Sequence, residues 1–105
     1  METVNVAALK QQLDAGQALF LLDVREPWEF ELCHITGSLN IPMSRIVNSL
    51  EELDRSADTV VICHHGNRSY HVGNYLINNG FKRIINLEGG VNAWAEQIDP
   101  QMARY

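Results

Sequence analysis

Seven consecutive residues, Cys63-His64-His65-Gly66-Asn67-Arg68-Ser69, carry the chemistry this chain advertises. They follow the apolar run Thr59-Val60-Val61-Ile62 and precede a helical pattern, so a cysteine sits where a buried strand gives way to a helix. A helix N-terminus presents free N–H groups and the positive end of the dipole, and a thiolate held there is favoured. Gly66 permits the dihedrals that turn successive amides toward one point, and Arg68 adds a fixed positive charge with several donors. The residue types at these offsets describe a cradle for negative charge on or just beyond the sulfur of Cys63. The plainer reading, a cysteine that merely ends a buried strand, leaves Gly, Arg and Ser at their positions unexplained.

Elements must hold that loop in place, and the hydrophobic pattern supplies them. Leu19-Phe20-Leu21-Leu22-Asp23-Val24, Val60-Val61-Ile62 and Ile84-Ile85 are nearly continuous apolar runs, suited to strands covered on both faces of a parallel sheet. Helical spacing recurs at Val6, Leu9 and Leu13, with Asn5 as cap and Gly16 as stop, then at Ile46, Val47, Leu50 and Leu53, and again at Val72, Tyr75 and Leu76. A short strand is expected near Ser38 to Ile41 and a last helix from about Val91 to Gln97. The alternation predicts an α/β fold, a central parallel sheet flanked by helices on both faces, with one domain over 1–105 and a tail from Asp99 to Tyr105 that packs along the surface or frays. In open α/β sheets, ligand sites lie where strands end and helices begin.

Composition narrows the class of partner. The 105 residues are 46% hydrophobic and 20% charged, as in an ordinary globular domain, and the formal charge of -5 argues against nucleic acid or an anionic membrane surface. No basic-plus-apolar leader and no membrane-length run is visible, so a cytoplasmic location is expected. Two cysteines, Cys33 and Cys63, are too few for a disulfide framework, and free thiols are expected. Cys33 is read as a small buried side chain, not a resolving thiol. The four histidines lack metal-ligand spacing, so neither metal nor organic cofactor is expected; His34 is read as a structural hydrogen-bonding residue and His71 as a first-turn helix residue.

Three segments in register resemble the rhodanese, or thiosulfate sulfurtransferase, family. They are Leu22-Asp23-Val24-Arg25-Glu26-Pro27-Trp28-Glu29-Phe30 with His34-Ile35-Thr36-Gly37-Ser38-Leu39-Asn40-Ile41-Pro42, the loop Cys63 to Ser69, and Leu87-Glu88-Gly89-Gly90-Val91-Asn92-Ala93-Trp94. The resemblance covers almost the whole chain and implies the three-layer rhodanese fold. It further implies a sulfurtransferase in which Cys63 takes a sulfane sulfur from thiosulfate or a persulfide and yields it to cyanide or a thiol. The implied partners are thus a small anionic donor and a nucleophilic acceptor, with protein donors or acceptors as further candidates. The amides of His64 to Ser69 would stabilise the terminal sulfur and Arg68 would bind an anionic donor. Two departures are visible: His64 stands where the family loop often has Arg, which weakens the expected thiosulfate preference, and Cys33 stands where a small residue is usual.

Other readings are weighed beside this one. A sulfur-carrier or sensor module would keep the same residues without turnover. Cysteine phosphatases and arsenate reductases are more distant, because tyrosine-phosphatase loops place one more residue between Cys and Arg than the four found here. Asp23 and Arg25 are expected to pair beneath the loop, with Arg25 facing substrate as the alternative. Trp28, Phe30, Tyr75 and Trp94 are expected to bury aromatic surface. Gly89-Gly90 reads as a backbone requirement before the last helix. His64 and His65 are expected to titrate near neutrality and to give anion turnover an alkaline limb.

Overall fold

The computed structural model describes residues 1–105. Apolar alternation places each strand: along Asp58–Ile62 (β4), Val60 and Ile62 face one core while Val61 and the following Cys63 face the other. Five parallel strands, β1 (Glu2–Val4), β2 (Phe20–Asp23), β3 (Leu39–Asn40), β4 and β5 (Arg83–Leu87), form one sheet in the order β1-β5-β4-β2-β3. From β2 the chain moves outward to β3, then returns to β4 and continues the opposite way to β5. The reversal opens beyond the C-terminal ends of β2 and β4, where the loop from Cys63 lies.

Helices cover both faces, as the sequence predicts. One face packs Val6 and Leu9 of α1 (Val6–Asp14) and Val91 and Trp94 of α4 (Gly90–Gln97) over Leu21, Val60, Ile62, Ile85 and Leu87. The other packs Val72 and Leu76 of α3 (Asn67–Asn78), with Ile46 and Leu50, over Leu22, Val24, Val61 and Ile84. Asn5 caps α1 by accepting the Ala8 amide at 2.8 Å. A further short helix, α2 (Pro27–Leu32), opens with a capping box between Glu26 and Glu29.

Several expectations need correction. The helical spacing over Ile46–Leu53 folds as two 3₁₀ segments, Met43–Arg45 and Val47–Glu52, although Ile46 and Leu50 are buried as the spacing requires. The Ser49 hydroxyl takes the Arg45 carbonyl at 2.8 Å, the acceptor an α-helical Ser49 amide would use, and that amide turns to the Ile46 carbonyl at 3.0 Å. Trp28 is not buried; it is 59% exposed. His71 lies in the second turn of α3, which begins at Asn67. The sequence reading omitted β1, whose three residues are too short to show a period.

Candidate functional site

Cys63 leaves β4 on the α3 side of the sheet and is almost wholly buried. Its sulfur accepts the Gly66 amide at 3.0 Å and lies 3.3 Å from the Ser69 hydroxyl. Gly66 precedes α3 with φ +111, a conformation glycine adopts without strain, and no side chain caps the helix. The first-turn amides of Asn67, Arg68 and Ser69 therefore remain as the helix's unpaired donors beside the thiol. His64 is half-buried and His65 exposed.

The loop is fixed from two sides by residues of β5 and α4. Asn86 donates to the Gly66 carbonyl at 3.2 Å and accepts from Ser69. Because that carbonyl can only accept, the amide orientation of Asn86 is set, and the single Ser69 proton is directed to it. The Ser69 oxygen then faces the Cys63 sulfur as an acceptor for the thiol proton. From the other side, the Val91 and Asn92 amides donate to the Cys63 and His64 carbonyls at 2.9 and 3.0 Å. Gly90, at φ +56, makes this approach feasible, since a β-carbon there would run into both carbonyls. The glycine pair is thus a backbone requirement that serves the loop.

Beneath the loop, Asp23 and Arg25 form the expected pair. Both side chains are fully buried, and Arg25 closes on Asp23 at 2.7 and 3.0 Å while donating to the carbonyls of Cys33 at 2.7 Å and Glu29 at 3.2 Å. Asn40 ties the same turn by donating to the Asp23 and Arg25 carbonyls. Burial alone would lower the pKa of Arg25; its hydrogen bonds with Asp23 and Tyr105 outweigh that and raise it. Arg25 is therefore a buried strut and does not face the solvent.

Arg68 is placed differently from the sequence reading. Its guanidinium makes a bidentate pair with Glu29, at 2.6 and 2.9 Å, so its fork is occupied by a carboxylate of the protein. Glu29 is only 4% exposed and also accepts the Glu26 amide at 2.9 Å and the Tyr105 hydroxyl at 2.7 Å. The Arg68 hydrogen bonds, against burial and aided by Tyr105, hold the Glu29 carboxyl down at about 2.

The tail does not fray. Tyr105 accepts from Arg25 at 3.0 Å, stacks on the His64 ring at 3.9 Å and meets Trp28 edge-on at 5.5 Å. Burial, with Glu29 beside it and against Arg25, pushes the Tyr105 hydroxyl up to about 12. Burial and neighbouring His65 lower the pKa of His64. Cys33 and Cys63 are free and belong to cores on opposite faces of the sheet. Exposed His34 donates from Nδ1 to the Phe30 carbonyl at 2.8 Å, as a structural residue would.

Asn86, Glu29 and Tyr105 were not singled out as site residues from the sequence. Asn86 could have been: it is a polar residue inside the apolar run Arg83–Leu87, on the same strand parity as Ile84, and it pairs with Val61 across the sheet. Nothing in the sequence marks Tyr105.

A parallel α/β sheet with a buried thiol at a helix N-terminus, at the point where strand order reverses, defines the class. The family description "Rhodanese-like domain" matches residues 5–97, and the chain belongs to that family. It is 38% identical over 101 residues to a Bacillus subtilis (strain 168) protein bearing the name sulfurtransferase YtwF, covering 96% of this chain and 97% of that one. A second protein of the same organism, bearing the name sulfur carrier protein YrkF, is 35% identical over 96 residues; the match covers 91% of this chain and 52% of that relative, so the chain spans about half its length. A rhodanese-related protein from Thermoplasma volcanium has the same fold with a TM-score of 0.85 and 36% identity, over 93% of this chain and 94% of that one. The three-layer rhodanese fold and a general sulfurtransferase or sulfur-carrier role follow. No helix is long and apolar enough to cross a membrane.

Proposed function

We propose that the protein is a sulfurtransferase that moves sulfane sulfur through a persulfide on Cys63. The observation that carries this reading is the Cys63 sulfur lying against the Gly66 amide, 3.0 Å away, at the uncapped start of α3. In the loading step the Cys63 thiolate attacks the outer sulfur of the donor, the donor's sulfur–sulfur bond breaks, and its electron pair leaves with the remainder of the donor. The terminal sulfur then carries the negative charge, and the amides of the His64 to Ser69 loop stabilise it. A thiol or cyanide acceptor removes that sulfur as its own nucleophilic atom bonds to it, returning the thiolate to Cys63. No cofactor enters either step.

The geometry supports one role for each residue in this proposal. Cys63 is the nucleophile, Gly66, Asn67 and Ser69 line the cradle, and Asn86 holds Ser69 and Gly66 in register. Asp23 and Arg25 support the turn beneath, and Arg68 ties the loop to α2 through Glu29. The decisive measurement is intact mass after exposure to thiosulfate or a low-molecular-weight persulfide. The wild type should gain one sulfur and folded Cys63→Ser none; sulfur retained on that variant would overturn the assignment. The sulfur-carrier reading, favoured by the likeness to the carrier relative, differs in turnover: it expects stoichiometric loading with no steady-state release to cyanide.

A further inference from the structure

The charged side chains around the thiol cancel in pairs. Arg68 gives both ends of its fork to Glu29, and Arg25 is closed on Asp23 without solvent exposure. His64 lies against the Tyr105 ring, 3.9 Å away, and the His65 ring, 4.0 Å away. The loop therefore offers an incoming donor backbone amides but no uncommitted cation, on a chain whose formal charge is -5.

Sulfane donors differ in the charge of what they leave behind. With thiosulfate, Cys63–S⁻ + S–SO₃²⁻ gives Cys63–S–S⁻ + SO₃²⁻, and the broken bond's electron pair departs on a dianion. With an organic persulfide, Cys63–S⁻ + R–S–S⁻ gives Cys63–S–S⁻ + R–S⁻, and the leaving group carries a single charge. A dianion profits far more from a free guanidinium at the mouth. Arg68 is not free to serve it. Glu29 is pinned by the Glu26 amide and the Tyr105 hydroxyl, so recruiting Arg68 to a donor would strand a buried carboxylate. That penalty exceeds what one charge-assisted hydrogen bond to substrate returns.

We propose that Glu29 is a specificity-determining residue which, by holding Arg68 in a bidentate pair, makes organic persulfides rather than thiosulfate the donors that load Cys63. This rests on the sulfurtransferase reading and names the donor class for the same site.

The experiment measures single-turnover loading of Cys63 by intact mass, using thiosulfate and 2-mercaptoethanol persulfide, for wild type and Glu29→Gln over a potassium chloride series. In the wild type the persulfide loads faster, and the thiosulfate rate does not fall as salt rises, because no uncommitted cation attracts the dianion. Glu29→Gln releases the Arg68 charge, so the thiosulfate-to-persulfide rate ratio should rise about tenfold or more and the thiosulfate rate should acquire a falling salt dependence. A wild-type thiosulfate rate that matches the persulfide rate and falls with salt, or a folded Glu29→Gln with an unchanged ratio, overturns the proposal. Should Glu29→Gln not fold, the wild-type salt series decides. If neither donor adds sulfur to folded wild type, the sulfurtransferase reading itself fails, an outcome distinct from the wrong choice of donor.

Discussion

The Glu29–Arg68 pair predicts a specific acid instability. In the folded protein the Glu29 carboxyl is held at about 2, against 4.5 for an ordinary glutamate, chiefly by hydrogen bonds from Arg68. A carboxyl lowered on folding contributes stability that is fully present above its unfolded value and is lost as pH falls through its folded value. The affected window therefore runs from about pH 4.5 down to about pH 2. At about 1.4 kcal/mol per unit, the full contribution is about 3 kcal/mol, a large share of the 5–15 kcal/mol typical of a domain. Urea unfolding followed by tryptophan fluorescence at a series of pH values would measure it for wild type and Glu29→Gln. Glu2 and Asp54, whose carboxyls are also lowered, remain in both proteins, so the difference between the two curves isolates Glu29. The variant should be less stable at pH 7 and converge on wild type as pH falls through the window. Parallel curves from pH 5 to pH 2 would refute the claim that Arg68 is committed to Glu29.

Other substitutions probe the remaining contacts. Gly90→Ala places a β-carbon against the Cys63 and His64 carbonyls at φ +56, and should cost about 2 kcal/mol or more in chemical denaturation while lowering sulfur loading. Cys33→Ala should leave sulfur loading unchanged, with no Cys33–Cys63 bridge found by mass under mild oxidation, because the two side chains lie on opposite faces of the sheet. Tyr105→Phe removes the hydroxyl that links Arg25 to Glu29; a loss of about 1–3 kcal/mol is expected in urea unfolding, since both partners are charged. His64 is held below its ordinary pKa by burial and His65, so the pH profile of loading should show no alkaline fall assignable to it, and His64→Arg should leave the profile above pH 7 unchanged in shape.

Much of this architecture was legible because it rests on period and position. Asn5 and Gly16 bracket α1 as caps and stops do, and the double-sided apolar runs marked β2, β4 and β5 as interior strands. The loop was legible as well, since a cysteine between a strand and a helix has few other uses for glycine and serine at those offsets. Short elements were not. β1 exists because Glu2–Val4 completes hydrogen bonds along the edge of β5, and the segment over Val47–Glu52 tightened to 3₁₀ because Ser49 competes with its own amide for a carbonyl. Neither cause shows as periodicity.

The pairing of Arg68 with Glu29 was illegible for a different reason. Residue type and offset specify a charge, whereas function depends on whether that charge is already spent. Glu29 is thirty-nine positions away in sequence and Tyr105 thirty-seven, yet both meet Arg68's side of the loop because α2 and the tail converge on the C-terminal edge of the sheet. Once the pair forms, the four buried or half-buried charges Asp23, Arg25, Glu29 and Arg68 add no net attraction, and whatever anion selectivity the site has must come from amide dipoles. Dipoles act at short range and favour a single charge placed on one sulfur. A cation would also reach a diffuse dianion. On that ground the bidentate pair bears on catalysis as much as on stability, and changing one carboxylate should alter both the acid limit of the fold and the donor the thiol accepts.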